Sequence, residues 1–341
     1  MKVFATGATG LVGANTVRAL VAAGHQARLL VRDEAAARRY YARHGVEIEG
    51  YVGVDILDQA GLQQAMQGCD ALFHAAASIS LNPRLAQQTY RNNVGATKAV
   101  MGAAIAQGIR NLVYVSSYSV LFKPGLATVD ETTPLAEPTE PYSRSKRDSD
   151  EYVRGLQEQG WPIQMSYPAA VVGPDDPKLS ESNYAIKAFI TQALMQTSAG
   201  FQCVDVRDLA QAHRFLLENP VQGDACEARY LLGGHYLSWV ELRELLERLL
   251  GYRLRTPKVP PGLLRGFGAA TDLAKRLIPF ETPISAEAMS FITEWAPASS
   301  TRYLALSGAQ FRTAEQTYGD AIRWLCASGH LTPKQAGRMA G

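Results

Sequence analysis

The stretch 2–13, Lys2-Val3-Phe4-Ala5-Thr6-Gly7-Ala8-Thr9-Gly10-Leu11-Val12-Gly13, runs from an apolar strand through a glycine cluster into a helix. The helix continues to Ala23, with Leu11, Val12, Val17, Leu20 and Val21 near helical period, and Gly24 is a natural stop. Ala27–Val31 reads as a second strand. Strand, glycine loop, helix and strand fit within about 30 residues, the size of a βαβ crossover. In GxxGxxG, Gly7 allows a sharp turn, Gly10 leaves no Cβ towards a pyrophosphate, and Gly13 lets helix and strand sit close. The helix N–H groups and dipole then favour an anion. Glycines also make ordinary tight turns; the position between a strand and a helix favours the phosphate reading.

The alternation continues outward. Helix Glu34–Arg43, strand Val46–Val52, helix Gln59–Gln67, strand Ala71–His74, a long helical stretch Arg84–Gln107 with an interruption expected near Gly95, and strand Leu112–Ser116 follow. Short, uniformly apolar strands between helices predict an α/β fold with a Rossmann doubly wound parallel sheet. Residues 123–141, with five helix breakers, read as a loop. Helix Tyr142–Gln157 and strand Ile163–Tyr167 resume the rhythm, and Val204–Leu217 repeats it. Beyond Ala225 come strand Arg229–Leu232, helix Ser238–Leu250, strand Tyr252–Lys258, and helices near 262–276, 284–293 and 313–328. Residues 1–167 with about 201–224 are expected to form the dinucleotide domain. About 168–200 with 225–341 are expected to form a smaller mixed α/β substrate domain.

Composition narrows the function. The 341 residues are 47% apolar and 19% charged, with 34 basic against 32 acidic side chains and net charge +2. No basic field points to nucleic acid as partner. Four dispersed cysteines and six dispersed histidines lack metal-ligand spacing, so no metal is expected. Neither a signal peptide nor a membrane-spanning run is read, and a cytoplasmic location is expected. Residues 262–280 are amphipathic; they either touch a membrane or pack on their own domain.

Two further positions carry chemistry. The second strand ends Val31-Arg32-Asp33. A carboxylate at Val31 would bind ribose hydroxyls; Arg32 instead suits a 2′-phosphate, which favours NADP(H) over NAD(H). Alternatively Arg32 is a solvated charge and Asp33 binds the ribose. Asp55-Ile56, after the third strand, either bounds the adenine or forms a plain turn. Tyr142-Ser143-Arg144-Ser145-Lys146 places a phenol and an ammonium one helical turn apart on one face. The ammonium stabilises a phenolate and can hydrogen-bond the nicotinamide ribose. Ser116-Ser117 ends a sheet strand, where ligands of open α/β sheets bind. Serines also end strands without chemistry.

In this order the motifs resemble the extended short-chain dehydrogenase/reductase family, over about residues 1–250. The matching segments are TGATGLVG (6–13), Asp55-Ile56, HAAA (74–77), Asn92 in NNVGATKAV, YVSSYSV (114–120), YSRSK (142–146), YPAAVVGP (167–174) and DVRDLAQAH (205–213). The resemblance implies Ser117, Tyr142 and Lys146 as catalytic residues, with Ser117 lying 25 residues before Tyr142. It also implies cofactor contacts from Thr9, Leu11, Val12, Ala75, Ala76, Ala77, Asn92, Ser116, Pro168, Ala170 and Val171, beside Gly7, Gly10, Gly13, Arg32, Asp55, Ile56, Tyr142 and Lys146. Val-Arg-Asp and Tyr-Pro-Ala-Ala-Val-Val-Gly-Pro look like the dihydroflavonol-reductase-like branch, whose members reduce a carbonyl with NADPH. The alternative branch holds nucleoside-diphosphate-sugar epimerases and dehydratases that retain their cofactor; Arg207, Arg229, Lys187 and Arg302 are its candidate diphosphate cations. A non-catalytic dinucleotide sensor is the third reading. The resemblance implies a homodimer through Arg84–Gln107 and Tyr142–Gln157. It leaves the small-molecule substrate unnamed.

Overall fold

A computed structural model describes residues 1–78, 85–277, 282 and 284–340. Strands β1 (Lys2–Thr6), β2 (Gln26–Leu30), β3 (Gly50–Val52), β4 (Ala71–His74), β5 (Asn111–Val115) and β6 (Ile163–Pro168) alternate with helices α1 (Leu11–Ala22), α2 (Glu34–Arg43), α3 (Gln59–Ala65), α4 (Ala86–Ala106) and α5 (Pro141–Glu158). There follow β7 (Ala170–Val172), α6 (Glu181–Thr191), β8 (Gly200–Asp205), α7 (Val206–Glu218), β9 (Arg229–Leu232) and β10 (His235–Ser238). Helices α8 (Trp239–Leu250), α9 (Pro261–Leu277), α10 (Ala286–Glu294), α11 (Thr301–Ser307) and α12 (Ala314–Ala327) complete the order used here.

Seven strands form one parallel sheet in the order β3-β2-β1-β4-β5-β6-β9. The order reverses between β1 and β4, so their carboxyl ends open a crevice at the switch point. Both faces of the sheet are covered. In β4, Leu72 joins the core with Val100, Met101, Leu112 and Met165, while Ala71 and Phe73 point to the opposite core with Val17, Leu20 and Leu216. Period-two side chains that are apolar on both faces require this double cover, which is why most of the strands read as nearly continuous apolar runs.

A second, three-stranded sheet is mixed: β10 runs antiparallel to β8, and β8 parallel to β7. Its core gathers Trp239, Leu242, Leu246 and Leu249 of α8 with Tyr318, Ile322 and Leu325 of α12. Both helices start with a reciprocal capping box, Ser238 with Glu241 and Thr313 with Gln316. The chain changes sheets at Pro168-Ala169, between β6 and β7. Residues 200–205, expected with the large sheet, pair in the small one, and 229–232, expected outside the large sheet, pair with β6.

Two local expectations change. Residues 252–258 are not a strand; they meet residues 194–196 through an isolated bridge, Gln196 to Lys258, and a backbone bond from Leu194 N–H to Arg255 O. Pro257 and Pro260 lack the N–H groups that a ladder needs. Gly95 does not interrupt α4. A Cβ there would lie 3.0 Å from Leu57 Cδ2, so the glycine serves a close approach rather than a break. Arg84 and residues 278–280, the ends of two expected stretches, lie outside the described residues.

His213 of α7 is fully buried and ties three elements together. Its Nδ1 is 3.0 Å from Thr16 Oγ1 of α1, and its Nε2 is 2.9 Å from Ser166 Oγ of β6. Burial holds its pKa down to about 3, against 6.5 ordinarily. The folded protein keeps the ring neutral where an unfolded chain protonates it. Its contribution is therefore whole above pH 6.5 and is lost as the pH falls towards 3. In this window, His213→Gln is expected to reduce the fall of stability with pH by up to about 1.4 kcal/mol per pH unit, measured by urea unfolding.

Candidate active site

The glycine loop is shaped by contacts that admit no side chain. Gly7 has φ +73°, and a Cβ there would lie 2.6 Å from the Ala75 carbonyl carbon. A Cβ on Gly13 would lie 2.2 Å from Gly7 O. The loop is thus wedged between the start of α1 and the end of β4, and Ala75–Ala76 form its opposite wall. Gly10 donates to Gly7 O at 3.0 Å and caps α1 without a side-chain bond, leaving the first-turn N–H groups of Leu11 and Val12 directed outwards. This cradle fits a pyrophosphate, and its shape is the test that a dinucleotide passes here. Thr9 stands in the turn just before it.

Residues that the sequence reading missed hold this loop. Tyr41 of α2 is buried and donates to Ala8 O at 2.7 Å. Thr6 Oγ1 lies 2.6 Å from His74 Nδ1 and accepts from Ala76 N–H at 3.3 Å. Arg18 of α1 pairs with Asp175 at 2.6 Å, tying the loop after β7 to the cofactor helix. The first two are aromatic or hydroxyl side chains in apolar surroundings, where pattern alone reads them as core.

At the end of β2, Arg32 is exposed and has no ion-pair partner among the described residues. Asp33 caps α2, its carboxylate accepting from Ala36 N–H at 2.8 Å. Asp55 makes a turn, accepting from Leu57 N–H at 2.9 Å, and Ile56 packs on the core.

Helix α5 presents Tyr142, Lys146, Asp150 and Arg154 at successive i, i+4 positions. Lys146 Nζ donates to Val115 O of β5 at 2.9 Å and stands 5.3 Å from the Tyr114 ring centre. Burial lowers its pKa to about 8, against a smaller opposing pull from Asp150. Asp150 has no solvent exposure. It accepts from Ser116 Oγ at 2.5 Å, Arg154 Nε at 2.7 Å and Tyr167 OH at 3.4 Å. Ser116 is therefore buried and engaged with Asp150, facing away from the crevice. Ser117, next in the chain, accepts from Ser119 N–H at 3.2 Å and lies 2.9 Å from Ser119 Oγ. With Ser119 as the donor in that pair, the Ser117 proton can turn to a substrate oxygen.

Tyr142 is the end of the ladder. Its hydroxyl has no hydrogen-bond partner among the described residues and is not a buried orphan. Loss of water raises its pKa above the ordinary phenol range, and the negative charge of Glu181 at the start of α6 adds to this. Glu181 is itself raised by displaced water, although solvent reaches its side chain, as befits a residue on a crevice wall.

Asn92 makes no side-chain hydrogen bond among the described residues. The next residue, Asn93, is buried. It accepts from Ser78 N–H at 2.8 Å and donates to Ser78 O and Ser145 Oγ, each at 2.9 Å. Ser145 in turn donates to Tyr142 O at 2.6 Å, so Asn93 links the loop after β4 to the turn that carries Tyr142. Two asparagines stand side by side in the sequence, and only burial separates them. Pro168 closes β6, while Ala170 and Val171 begin β7 and pair with Cys203 and Val204. Ser117 and the Pro168-Ala169 crossover thus end neighbouring strands.

Among the described residues no cluster of three or more His, Cys, Asp or Glu is placed to hold a metal. No helix among them is long and apolar enough to cross a membrane.

Residues 3–233 match the model of the NAD dependent epimerase/dehydratase family. Sterol demethylase protein B of Methylococcus capsulatus is 28% identical, the match covering 97% of this chain and all of the relative. A putative dihydroflavonol 4-reductase of Synechocystis is 29% identical over 96% of this chain and 95% of its own. The crystal structure of gox2253 superposes with a TM-score of 0.80 at 27% identity, covering 97% of this chain and 99% of that one.

Lys146, drawn down to about 8 by burial, is expected to set the alkaline side of activity. In carbonyl reduction, kcat/KM is expected to fall as the pH rises through about 8, where Lys146 loses its charge. In Lys146→Arg, any residual activity should no longer fall there, because guanidinium keeps its proton.

Proposed function

We infer the function from one premise: the chain belongs to the NAD dependent epimerase/dehydratase family, and is an enzyme of the extended short-chain dehydrogenase/reductase type. We propose that it is an NADP(H)-dependent reductase acting on a carbonyl of a largely apolar small molecule. The observation that carries this reading concerns the cations that a sugar nucleotide would need. Arg207 is paired with Asp205 and Asp320, each at 2.7 Å. Arg302 is paired with Glu227 at 2.9 Å, and Arg229 donates to Gln157 at 2.9 Å. Of the four candidates only Lys187 has no such partner among the described residues. A diphosphate would also meet the negative charge of Glu181 beside Tyr142. Tyr118, directly after Ser117, and Phe122, five residues beyond it, stack instead with Trp295 and Phe291, with ring centres 5.1 and 4.5 Å apart. The relative named for sterol demethylation is consistent with an apolar substrate.

The bound nicotinamide would supply hydride transfer at its C4 carbon. The chain's own residues do the rest. Tyr142 gives its proton to the substrate oxygen, and Ser117 donates a hydrogen bond to the same atom. Lys146, held by Val115 O, keeps positive charge close to the phenol. Gly7, Gly10 and Gly13 would hold the pyrophosphate. Arg32 would meet the 2′-phosphate, a reading supported by the engagement of Asp33 in the α2 cap. In the same reading α4 and α5, side by side on one face of the sheet, form a homodimer, and the enzyme works in the cytoplasm.

Tyr142→Phe is expected to lower kcat by on the order of 10²–10⁴ while NADPH binding, followed by fluorescence titration, survives. Full turnover by that variant removes Tyr142 from the chemistry. Arg32→Glu should shift the ratio of kcat/KM for NADPH to that for NADH by about tenfold or more towards NADH. An unchanged ratio removes Arg32 from cofactor selection. The reductase should consume NADPH steadily with ketones or aldehydes. Purification with tightly held cofactor and no net consumption would favour the epimerase instead.

A further inference from the structure

Helix α9 packs with its small side and leaves its larger apolar side in water. Leu264, Gly268 and Thr271 face inwards; a Cβ on Gly268 would lie 2.6 Å from Ser285 O, so the helix rests directly on the start of α10. Leu263, Phe267, Ala270 and Ala274 recur at i, i+4, i+7 and i+11, the spacing of one helix face, and Leu273 borders them. Leu263 is 66% exposed, Leu273 59% and Phe267 56%. These are the three most exposed large apolar side chains among the described residues.

The charge around this face is one-sided. Residues 251–277 carry Arg253, Arg255, Lys258, Arg265, Lys275 and Arg276 against a single acid, Asp272. The whole chain is balanced to within two charges, so this segment stands apart. Arg265 is paired with Glu294, and Lys275 reaches Ile284 O at 2.9 Å. Arg253, Arg255 and Lys258, on the approach to α9, are exposed and have no ion-pair partner among the described residues.

We propose that α9 docks this enzyme on the surface of an anionic phospholipid bilayer, with Leu263, Phe267 and Leu273 entering the acyl boundary and Arg253, Arg255 and Lys258 meeting lipid phosphates. An exposed apolar stripe beside unpaired cations is the pattern of an interfacial helix. Arg265, Asp272 and Lys275 within the helix exclude a spanning arrangement. The anchoring is rigid. Asp272 accepts from Ala286 N–H at 2.9 Å, and Glu287 of α10 accepts from Thr139 and Glu140 N–H at 3.1 and 3.0 Å, just ahead of Tyr142. The docking helix is thereby coupled to the start of the catalytic helix, where an apolar substrate dissolved in the bilayer would arrive. The inference stands whether the enzyme is a reductase or an epimerase.

Flotation of the full chain with vesicles tests it, using phosphatidylcholine alone and phosphatidylcholine mixed with phosphatidylglycerol. The protein should float with the mixed vesicles, and less so at high salt. Combined Leu263→Ser, Phe267→Ser and Leu273→Ser should weaken partitioning by about tenfold or more. Arg253→Glu, Arg255→Glu and Lys258→Glu together should abolish the preference for phosphatidylglycerol. Circular dichroism and turnover of a water-soluble aldehyde should be unchanged in both variants, since none of these residues belongs to the site. Failure of the wild type to float, or equal flotation of the serine variant, overturns the proposal. So does light scattering that shows a self-associated wild type, dispersed by the serine changes, without any vesicle binding.

Discussion

The carboxylate of Asp150, buried without solvent contact, fixes the register of the catalytic helix. A charge in such a place is tolerable only with partners on every side. Asp150 finds them on β5 through Ser116, on β6 through Tyr167, and one turn along its own helix in Arg154. Rotating α5 by one residue would swing the carboxylate by about 100° away from Ser116 and Tyr167, while Arg154, on the same helix, would move with it. The same register sets Lys146 against Val115 O and leaves Tyr142, two turns nearer the helix start, at the crevice. The bonds that Asp150 accepts from Ser116 and Tyr167 thus decide where Tyr142 stands.

The opposite wall is set by volume instead of charge. Gly7, Gly13 and the Ala75–Ala76 backbone approach so closely that a methyl group would collide. Tyr41 and Thr6 then hold this tight junction from behind. The unit with the three-stranded sheet is joined across it by Arg18 with Asp175 and by the β6-to-β7 crossover. Phosphate cradle, phenol and substrate wall therefore converge from three elements that each have separate reasons for their position.

What could be read in the sequence follows from how local each signal is. The parallel sheet was legible because strands such as Leu72-Phe73 and Leu112-Val113 are apolar on both faces, a pattern few other folds need. The glycine loop stood out because its spacing falls between a strand and a helix, and Tyr142 with Lys146 stood out only in conjunction with that loop and the strand-end serine. Asn93 was not separable from Asn92, since adjacent identical residues differ only in which face is buried. Asp150 reads as a polar helix residue until Ser116 and Tyr167 are seen around it. The exchange of 200–205 and 229–232 between the two sheets was hidden because strand pairing is non-local, and a short apolar strand looks the same in either sheet.

The titration of the site also bears on its direction. Burial pushes Tyr142 up and Lys146 down, so each is moved towards its uncharged form by the same loss of water. A phenol that holds its proton across the neutral range is ready to act as an acid, the role required when a carbonyl becomes an alcohol. Removing a proton from an alcohol requires the phenolate, which both burial and the charge of Glu181 disfavour. An epimerase must work in both directions within each turnover and gains nothing from this bias. In the proposed reductase this bias favours the proton-donating role of Tyr142.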